Sequence, residues 1–157
     1  MRDAVYQGAE AEGSGIMDGG AIKWSIDVDG QNFESAGFAS QSTKLRLKQL
    51  GLPSEITRRV AIAMYEGEIN MVIHANGGVA TAEVLEDRII ITLEDTGKGI
   101  ADVALAMKEG YSTATDEIRD LGFGAGMGLP NMKRYSDKME IDTKVGEGTK
   151  VTMTFFI

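Results

Sequence analysis

Apolar and polar residues alternate in the first regular segment of the chain. From Ile22 to Val28 every second residue is apolar and the residues between them are polar, which predicts a strand with one buried face. The run Ile89-Ile90-Ile91 instead predicts a strand that is buried on both faces. Together with the turn and helix signals, the pattern predicts strands at 21–28, 79–86, 88–94, 138–145 and 149–157, and helices at 34–50, 54–76, 101–109 and 129–137.

Residues with special backbone roles mark the ends of the two long predicted helices. Gly51 ends the first helix and Gly77-Gly78 ends the second, because glycine readily adopts the left-handed backbone that follows a helix. Ser54 is predicted to cap the second helix, with Glu55 in its first turn. Strands with helices between them then predict a two-layer α/β (α+β) sandwich, a mixed, mostly antiparallel sheet covered on one face by helices.

The composition of the chain excludes several kinds of function. Its 157 residues, 43% of them hydrophobic, suffice for one domain with its own core. A net charge of −8 argues against a broad basic face for nucleic acid. The chain has no cysteine and one histidine, which argues against disulfides and against thiolate or histidine-rich metal centres. No apolar run approaches the ~20 residues of a membrane span, so we expect a cytoplasmic protein without membrane attachment.

The first twenty residues differ from the rest of the chain. They hold five glycines and four acidic residues against one arginine, with few large apolar side chains. Such a segment cannot bury enough apolar surface to become ordered. We therefore expect 1–20 to be a disordered leader or an expression tail, and 21–157 to be the folded domain.

A glycine-rich stretch, 122–130, directly precedes the last predicted helix. Its glycines fall at every second position, which favours a backbone that passes close to a ligand. The amide groups at the start of the following helix would then face an anion, phosphate above all, and Pro130 suits an early helical position. The alternative is a flexible connection. The 19 residues 110–128 show no clear periodicity, which is typical of a functional lid or of disorder.

Two polar side chains interrupt the apolar second helix. Glu66 and Asn70 are four residues apart and therefore share one face. They form either an exposed polar stripe or a pair aimed into a polar pocket. In a pocket, the amide oxygen of Asn70 could bind Mg²⁺ and Glu66 could act as a general base. His74, one turn further on, is interpreted as a packing residue.

Two further motifs lie at the ends of predicted strands. Asp95 follows the isoleucine strand and begins the loop Asp95–Ile100, which is either a plain turn or a ligand loop at the edge of the sheet. A carboxylate in that place can accept a hydrogen bond from an exocyclic amine such as that of adenine. Gly148-Thr149 opens the last strand and, taken alone, indicates only a hairpin turn.

In this order, the four motifs resemble those of the GHKL ATPase superfamily, which includes gyrase, the heat-shock chaperone, histidine kinases and MutL. The motifs are Glu66-x3-Asn70, Asp95-x-Gly97-x-Gly99, Gly124-x-Gly126-x-Gly128 and Gly148-Thr149. The resemblance covers about residues 22–157 and implies a Bergerat-type ATP-binding fold. The phosphate loop of other nucleotide enzymes is absent.

The resemblance implies a role for each matched residue. Glu66 is implied as the general base and Asn70 as the ligand of the Mg²⁺ that bridges the ATP phosphates. Asp95 is implied to bind the adenine amine, with Thr149 assisting through water. The remaining residues implied to bind the nucleotide are Gly97, Gly99, Ile100, Gly124, Ala125, Gly126, Met127, Gly128 and Leu129.

The segments 65–75 and 109–113 look closer still to the anti-sigma factor serine/threonine kinases. This resemblance implies phosphorylation of a STAS (anti-anti-sigma) partner, and binding of a sigma factor or another regulator. The segment 114–121 is longer than the compact lid of that branch. Homodimers are common among the relatives and are a further expectation. The alternatives are a nucleotide-switched binding module without kinase activity, and a stand-alone ATPase domain similar to that of histidine kinases.

Overall fold

Six antiparallel strands form a single sheet in the computed structural model, which describes residues 16–18, 21–108 and 128–157, with side chains from residue 21 onwards. The strand order is β1-β2-β3-β4-β6-β5. The strands are β1 (Ile16–Asp18), β2 (Ala21–Asp29), β3 (Gly77–Val84), β4 (Arg88–Asp95), β5 (Lys138–Lys144) and β6 (Gly148–Phe156). The strand predictions from sequence are thus confirmed to within two residues at each end, and β1 is an addition.

Every pairing among the described strands is antiparallel, where the sequence predicted a mixed, mostly antiparallel sheet. The reason is the long excursion between β2 and β3. Two antiparallel helices return the chain to the end of the sheet that it left, so Asp29 at the end of β2 pairs with Gly77 at the start of β3. β1 pairs with β2 at the sheet edge and includes three residues of the expected leader. The other residues of 1–20 lie outside the described part.

The helices are α1 (Phe38–Gln49), α2 (Ser54–Ala75), α3 (Val103–Ala106) and α4 (Gly128–Tyr135). The single helix expected over 34–50 is divided, because Gly37 adopts a φ of +103° between a 3₁₀ turn (Phe33–Ser35) and α1. The residue that caps α2 is Pro53 rather than Ser54, since the Thr57 amide donates to the Pro53 carbonyl. α2 ends as predicted, at Asn76 in the left-handed conformation followed by Gly77.

The hydrophobic core lies between one face of the sheet and the helices. The buried sheet residues alternate along each central strand, and they meet the inner face of α2. Ile89 and Ile91 are fully buried, but Ile90 is only partly buried, so the prediction that this strand is buried on both faces was wrong. Ile90 pairs with Glu83 and Thr154 on the other face, which no described helix covers. The helices therefore lie on one side, as the sequence predicted.

Candidate functional site

Asp95 stands at the end of β4 with one carboxylate oxygen bonded and the other open. Its Oδ1 accepts hydrogen bonds from the amides of Gly97 at 2.9 Å and Thr149 at 3.2 Å. No described residue bonds Oδ2, and among the described residues no enclosed side-chain oxygen or nitrogen lacks a partner. Oδ2 therefore faces solvent and can accept a donor from a ligand. Burial raises the pKa of the Asp95 carboxyl above its usual value, against the effect of the two amide donors.

Thr149 lies directly across from Asp95 in the sheet and extends the same cluster. Its hydroxyl is 2.8 Å from that of Thr143 on β5, and the Thr143 hydroxyl also accepts the amide of Ile100 at 2.9 Å. The loop after β4 is thus tied to the β5–β6 hairpin through hydroxyl groups. Thr143 was not singled out from the sequence, because its role depends on strand pairing.

The glycines of the loop after β4 are required by packing. A Cβ at Gly97 would lie 2.7 Å from Ala75 at the end of α2, and a Cβ at Gly99 would lie 2.4 Å from the Lys144 carbonyl oxygen. Gly99 also has a φ of +76°. Both glycines therefore bring the loop against its neighbours, whether or not a ligand is present. Their expected contact with a nucleotide backbone stays a prediction.

Glu66 and Asn70 lie on the face of α2 that meets α4, and both are partly buried. The Asn131 Nδ2 donates to Glu66 Oε2 at 3.1 Å, and the Asn70 Nδ2 lies 4.0 Å from the sulfur of Met132. The Asn70 amide therefore directs its nitrogen to Met132, which leaves Oδ1 as the atom able to bind a cation. The pair consequently forms a polar cluster with α4 and not an isolated surface stripe.

The start of α4 packs directly on Asn70. A Cβ at Gly128 would lie 2.8 Å from Asn70 Nδ2 and 2.9 Å from Oδ1, so this glycine admits the amide. Leu129 is buried in the core, and Pro130 occupies an early helical position, as the sequence predicted. The other members of the glycine-rich stretch lie outside the described residues: Gly122, Phe123, Gly124, Ala125, Gly126 and Met127.

Two anchors hold α4 against α2 besides the contact at Asn70. At the end of α4, Arg59 donates to the Tyr135 carbonyl at 3.1 Å and pairs with Asp137 at 3.1 Å. In its middle, Asn131 binds Glu66 and accepts a hydrogen bond from Arg134 at 3.1 Å. Asn131 was not singled out from the sequence, although its place three residues before Arg134 on one helix face was a usable signal.

Gly67 and Glu68, between the two predicted site residues, were also missed. A Cβ at Gly67 would lie 2.0 Å from Leu93 of β4, so this glycine lets α2 lie close on the sheet. Glu68 is 2% exposed and accepts hydrogen bonds from the amides at the start of α1, those of Gly37, Ala39 and Ser40. It replaces the absent side-chain cap of α1. Both residues therefore fix the helix that presents Glu66 and Asn70.

A shallow cleft of about 560 Å³ follows the end of α2. Its lining residues are Val72–Gly78, Thr96 and Gly97. His74 lies in this lining, and burial together with Lys98 lowers the pKa of its imidazole, so it is neutral at physiological pH. A neutral, partly buried imidazole agrees with its interpretation as a packing residue.

The predicted site residues form two clusters along α2. Asp95 is hydrogen-bonded to Gly97 and Thr149, and Gly97 lies against Ala75 at the end of the helix, whereas Glu66 and Asn70 meet α4. Ala75 follows Asn70 by five residues and Glu66 by nine, which is roughly 7 to 14 Å along the axis at the helical rise per residue. The arrangement suits an extended ligand with a hydrogen-bonding base at one end and an anion at the other.

The residues present fit ATP with Mg²⁺. Asp95 Oδ2 is an open acceptor for an amine, and Asn70 Oδ1 is a hard oxygen ligand. Within 21–108 and 128–157, no cluster of three or more histidine or acidic side chains is arranged to hold a metal ion. Mg²⁺ would therefore depend on phosphate oxygens and water, as it commonly does in nucleotide sites.

None of the described helices has the length and hydropathy of a membrane span.

Comparison with known proteins gives matches along the same elements. The profile of the histidine kinase-, DNA gyrase B- and HSP90-like ATPases matches residues 54–157. The chain is 33% identical over 129 residues to the anti-sigma F factor of Caldanaerobacter subterraneus subsp. tengcongensis, covering 79% of this chain and 87% of the relative. It is 32% identical over 108 residues to the serine/threonine-protein kinase RsbT of Bacillus subtilis, covering 66% and 75%.

Among solved structures, the fold is similar to that of the RsbU and RsbW domains of a Mycobacterium tuberculosis protein. The TM-score is 0.59 at 16% identity, over 85% of this chain and 32% of that chain. At this identity the likeness concerns the fold alone. The two-layer architecture and the ATPase profile therefore agree with the resemblance that the four motifs indicated.

Proposed function

Because this chain belongs to the histidine kinase-, DNA gyrase B- and HSP90-like ATPase family, we propose that it binds ATP with Mg²⁺ and acts as a serine/threonine protein kinase of the anti-sigma factor type. Its substrate is a STAS-domain partner protein. The observation that carries the proposal is the position of the Glu66 carboxylate on α2, one turn before Asn70 and beside α4. The relatives named as an anti-sigma F factor and a serine/threonine kinase support the same activity.

Each cluster has a part in the proposed reaction. Asp95 accepts the adenine amine on its open oxygen, and Asn70 holds Mg²⁺ through Oδ1. When bound, Mg²⁺ neutralises charge on the phosphates. Glu66 takes the proton of the partner's hydroxyl as its oxygen bonds to the γ-phosphorus. The bond from that phosphorus to the bridging oxygen breaks, and ADP keeps the electron pair. Such transfer depends mainly on positioning and charge neutralisation, so few catalytic groups suffice.

The proposal is tested by the transfer of labelled γ-phosphate to STAS-domain proteins from the source cell. We expect one of them to be labelled on serine or threonine. Glu66→Gln should reduce the rate by at least about 100-fold, because a general base contributes that much or more, while ATP affinity changes little. Gln41→Glu, an exposed side-chain change on α1, is the control. Nucleotide binding without transfer to any partner would refute the kinase.

A second candidate function is a nucleotide-switched binding module, favoured by the relatives named anti-sigma F factor. In this case the chain holds a sigma factor or a signalling complex, and Glu66 has no chemical part. Glu66→Gln would then leave regulation intact, whereas Asn70→Ala, which weakens Mg-ATP binding, would abolish it. Equal partner affinity with and without Mg-ATP would exclude the switch.

A further inference from the structure

We propose that Asn131, on α4, is a positioning residue that holds the Glu66 carboxylate in the orientation required for proton transfer. The inference rests on the proposed function of Glu66 as general base. Two hydrogen bonds, each 3.1 Å long, connect the three residues: Arg134 Nη1 donates to Asn131 Oδ1, and Asn131 Nδ2 donates to Glu66 Oε2. Arg134 is exposed, whereas Asn131 and Glu66 are partly buried, so the two hydrogen bonds connect the surface to the interior.

The chemistry of the three groups fixes the direction of the Asn131 amide. A guanidinium can only donate hydrogen bonds, and an ionised carboxylate can only accept them. Turning the amide over would place its oxygen against the Glu66 carboxylate and its nitrogen against Arg134, and both bonds would be lost. The neighbours of Asn131 therefore require its nitrogen to face Glu66.

The contact occupies one oxygen of Glu66 and leaves the other for the substrate. With Oε2 held by Asn131, rotation of the carboxylate is restricted, and Oε1, which has no hydrogen-bond partner among the described residues, is available to accept the hydroxyl proton. Asn131 lies on α4, whereas Glu66 lies on α2. Because α4 begins at Gly128, against the Asn70 amide, any shift of α4 on α2 changes the metal ligand and the base together.

The contact itself is tested without any activity, in the full chain free of nucleotide. The side-chain amide protons of Asn131 are assigned by NMR in the wild type and in Glu66→Ala. A proton donated to a carboxylate resonates downfield, so Glu66→Ala should move one of the two signals upfield. Gln41→Glu should leave both unchanged. If the Asn131 signals are the same in Glu66→Ala and in the wild type, the proposal is wrong.

The role is tested by a double-mutant cycle on phosphate transfer. Asn131→Asp keeps the shape of the side chain and an oxygen for Arg134, but sets a second acceptor against Glu66. The rate of transfer should fall roughly 10- to 100-fold, the range of one hydrogen bond to a charged group, with the KM for ATP nearly unchanged. In a Glu66→Gln background the same substitution should cause no further loss, because Asn131 acts through Glu66.

The outcomes of these experiments distinguish failure of the positioning role of Asn131 from failure of the proposed kinase activity. An equal loss of rate from Asn131→Asp with and without the Glu66 carboxylate would show that Asn131 acts elsewhere and would overturn the positioning role. A loss confined to the KM for ATP would overturn it too. If Asn131→Asp fails to fold, Asn131→Leu enters the same cycle. If no partner is ever phosphorylated, the kinase proposal fails, while the amide signals still decide whether Asn131 holds Glu66.

Discussion

At the scale of single residues, Asp95 shows what a sequence motif can and cannot predict. Its place at a strand end and its acidic type indicated an acceptor for a ligand. The structure adds that only one oxygen is available, because two loop amides bind the other. That division depends on the pairing of Asp95 with Thr149, which are 54 positions apart in the chain. No local sequence pattern shows which oxygen of Asp95 is available.

The two carboxylate oxygens of Asp95 have different partners, and this leads to a specific expectation. Asp95→Asn can keep the oxygen that binds the two loop amides, but places an amide nitrogen where the adenine amine requires an acceptor. ATP affinity should fall by at least about ten-fold, the loss of one hydrogen bond to a charged group. The urea midpoint should change little. Calorimetric titration with ATP measures the effect, and an unchanged affinity would contradict the role of Asp95.

His74 makes stability depend on pH. Burial and the nearby Lys98 lower the pKa of the folded imidazole below its ordinary 6.5, so the unfolded chain binds the proton at higher pH than the folded chain does. As pH falls through 6.5, protonation therefore favours unfolding, and stability decreases. Urea unfolding at about pH 7.5 and about pH 5.5 should show a larger loss for the wild type than for His74→Gln. An equal loss in both would contradict the shifted pKa.

At the scale of elements, the strands and helices were predictable and their connections less so. Apolar alternation gives the strands of the sheet, and glycines mark where α1 and α2 end. The cap at the start of α1 was not predicted, because Glu68 from another helix supplies the hydrogen bonds there. A cap that comes from 28 or more residues away leaves no trace in the local sequence.

Substitutions at two turn glycines distinguish the cost of close packing from the cost of backbone strain. Gly99 and Gly146 both have positive φ angles, +76° and +83°. A Cβ at Gly99 would lie 2.4 Å from a backbone oxygen, whereas a Cβ at Gly146 would meet no atom of the described residues within 4 Å. Gly146→Ala should therefore reduce the free energy of unfolding by about 1 kcal/mol, from strain alone. Gly99→Ala should reduce it by at least about 2 kcal/mol. Urea unfolding of the two variants tests this, and equal losses would contradict the close contact.

At the scale of the whole molecule, the two polar clusters are held apart by the length of α2. Helical spacing placed Glu66 and Asn70 on one face of α2, whereas the grouping of Asp95 with Thr149 was implied by the family resemblance and depends on strand pairing. The sequence did not predict Asn131, whose contact depends on how α4 packs against α2. Residue spacing on one helix was therefore accessible from the sequence alone, whereas contacts between elements were accessible only where the four-motif resemblance covered them.

The metal should bind only together with the nucleotide. Asn70 offers a single oxygen, and the described side chains provide no cluster of acids around it. Mg²⁺ alone should leave the unfolding temperature unchanged. ATP with Mg²⁺ at 100 times its Kd should stabilise the fold by about 2.7 kcal/mol, and EDTA should remove most of the gain. Thermal unfolding measures all three, and a clear effect of Mg²⁺ alone would contradict the single-ligand site.

The buried carboxylate of Glu68 also determines which amides exchange slowly with solvent. The amides of Gly37, Ala39 and Ser40 are closed off by a side chain of α2, so they can exchange only when α1 and α2 separate. Asn70 projects from that same α2, and a nucleotide bound through Asn70 makes the separation rarer. Deuterium uptake at the start of α1 should therefore slow on nucleotide binding, at amides that are bonded to Glu68 and not to the ligand.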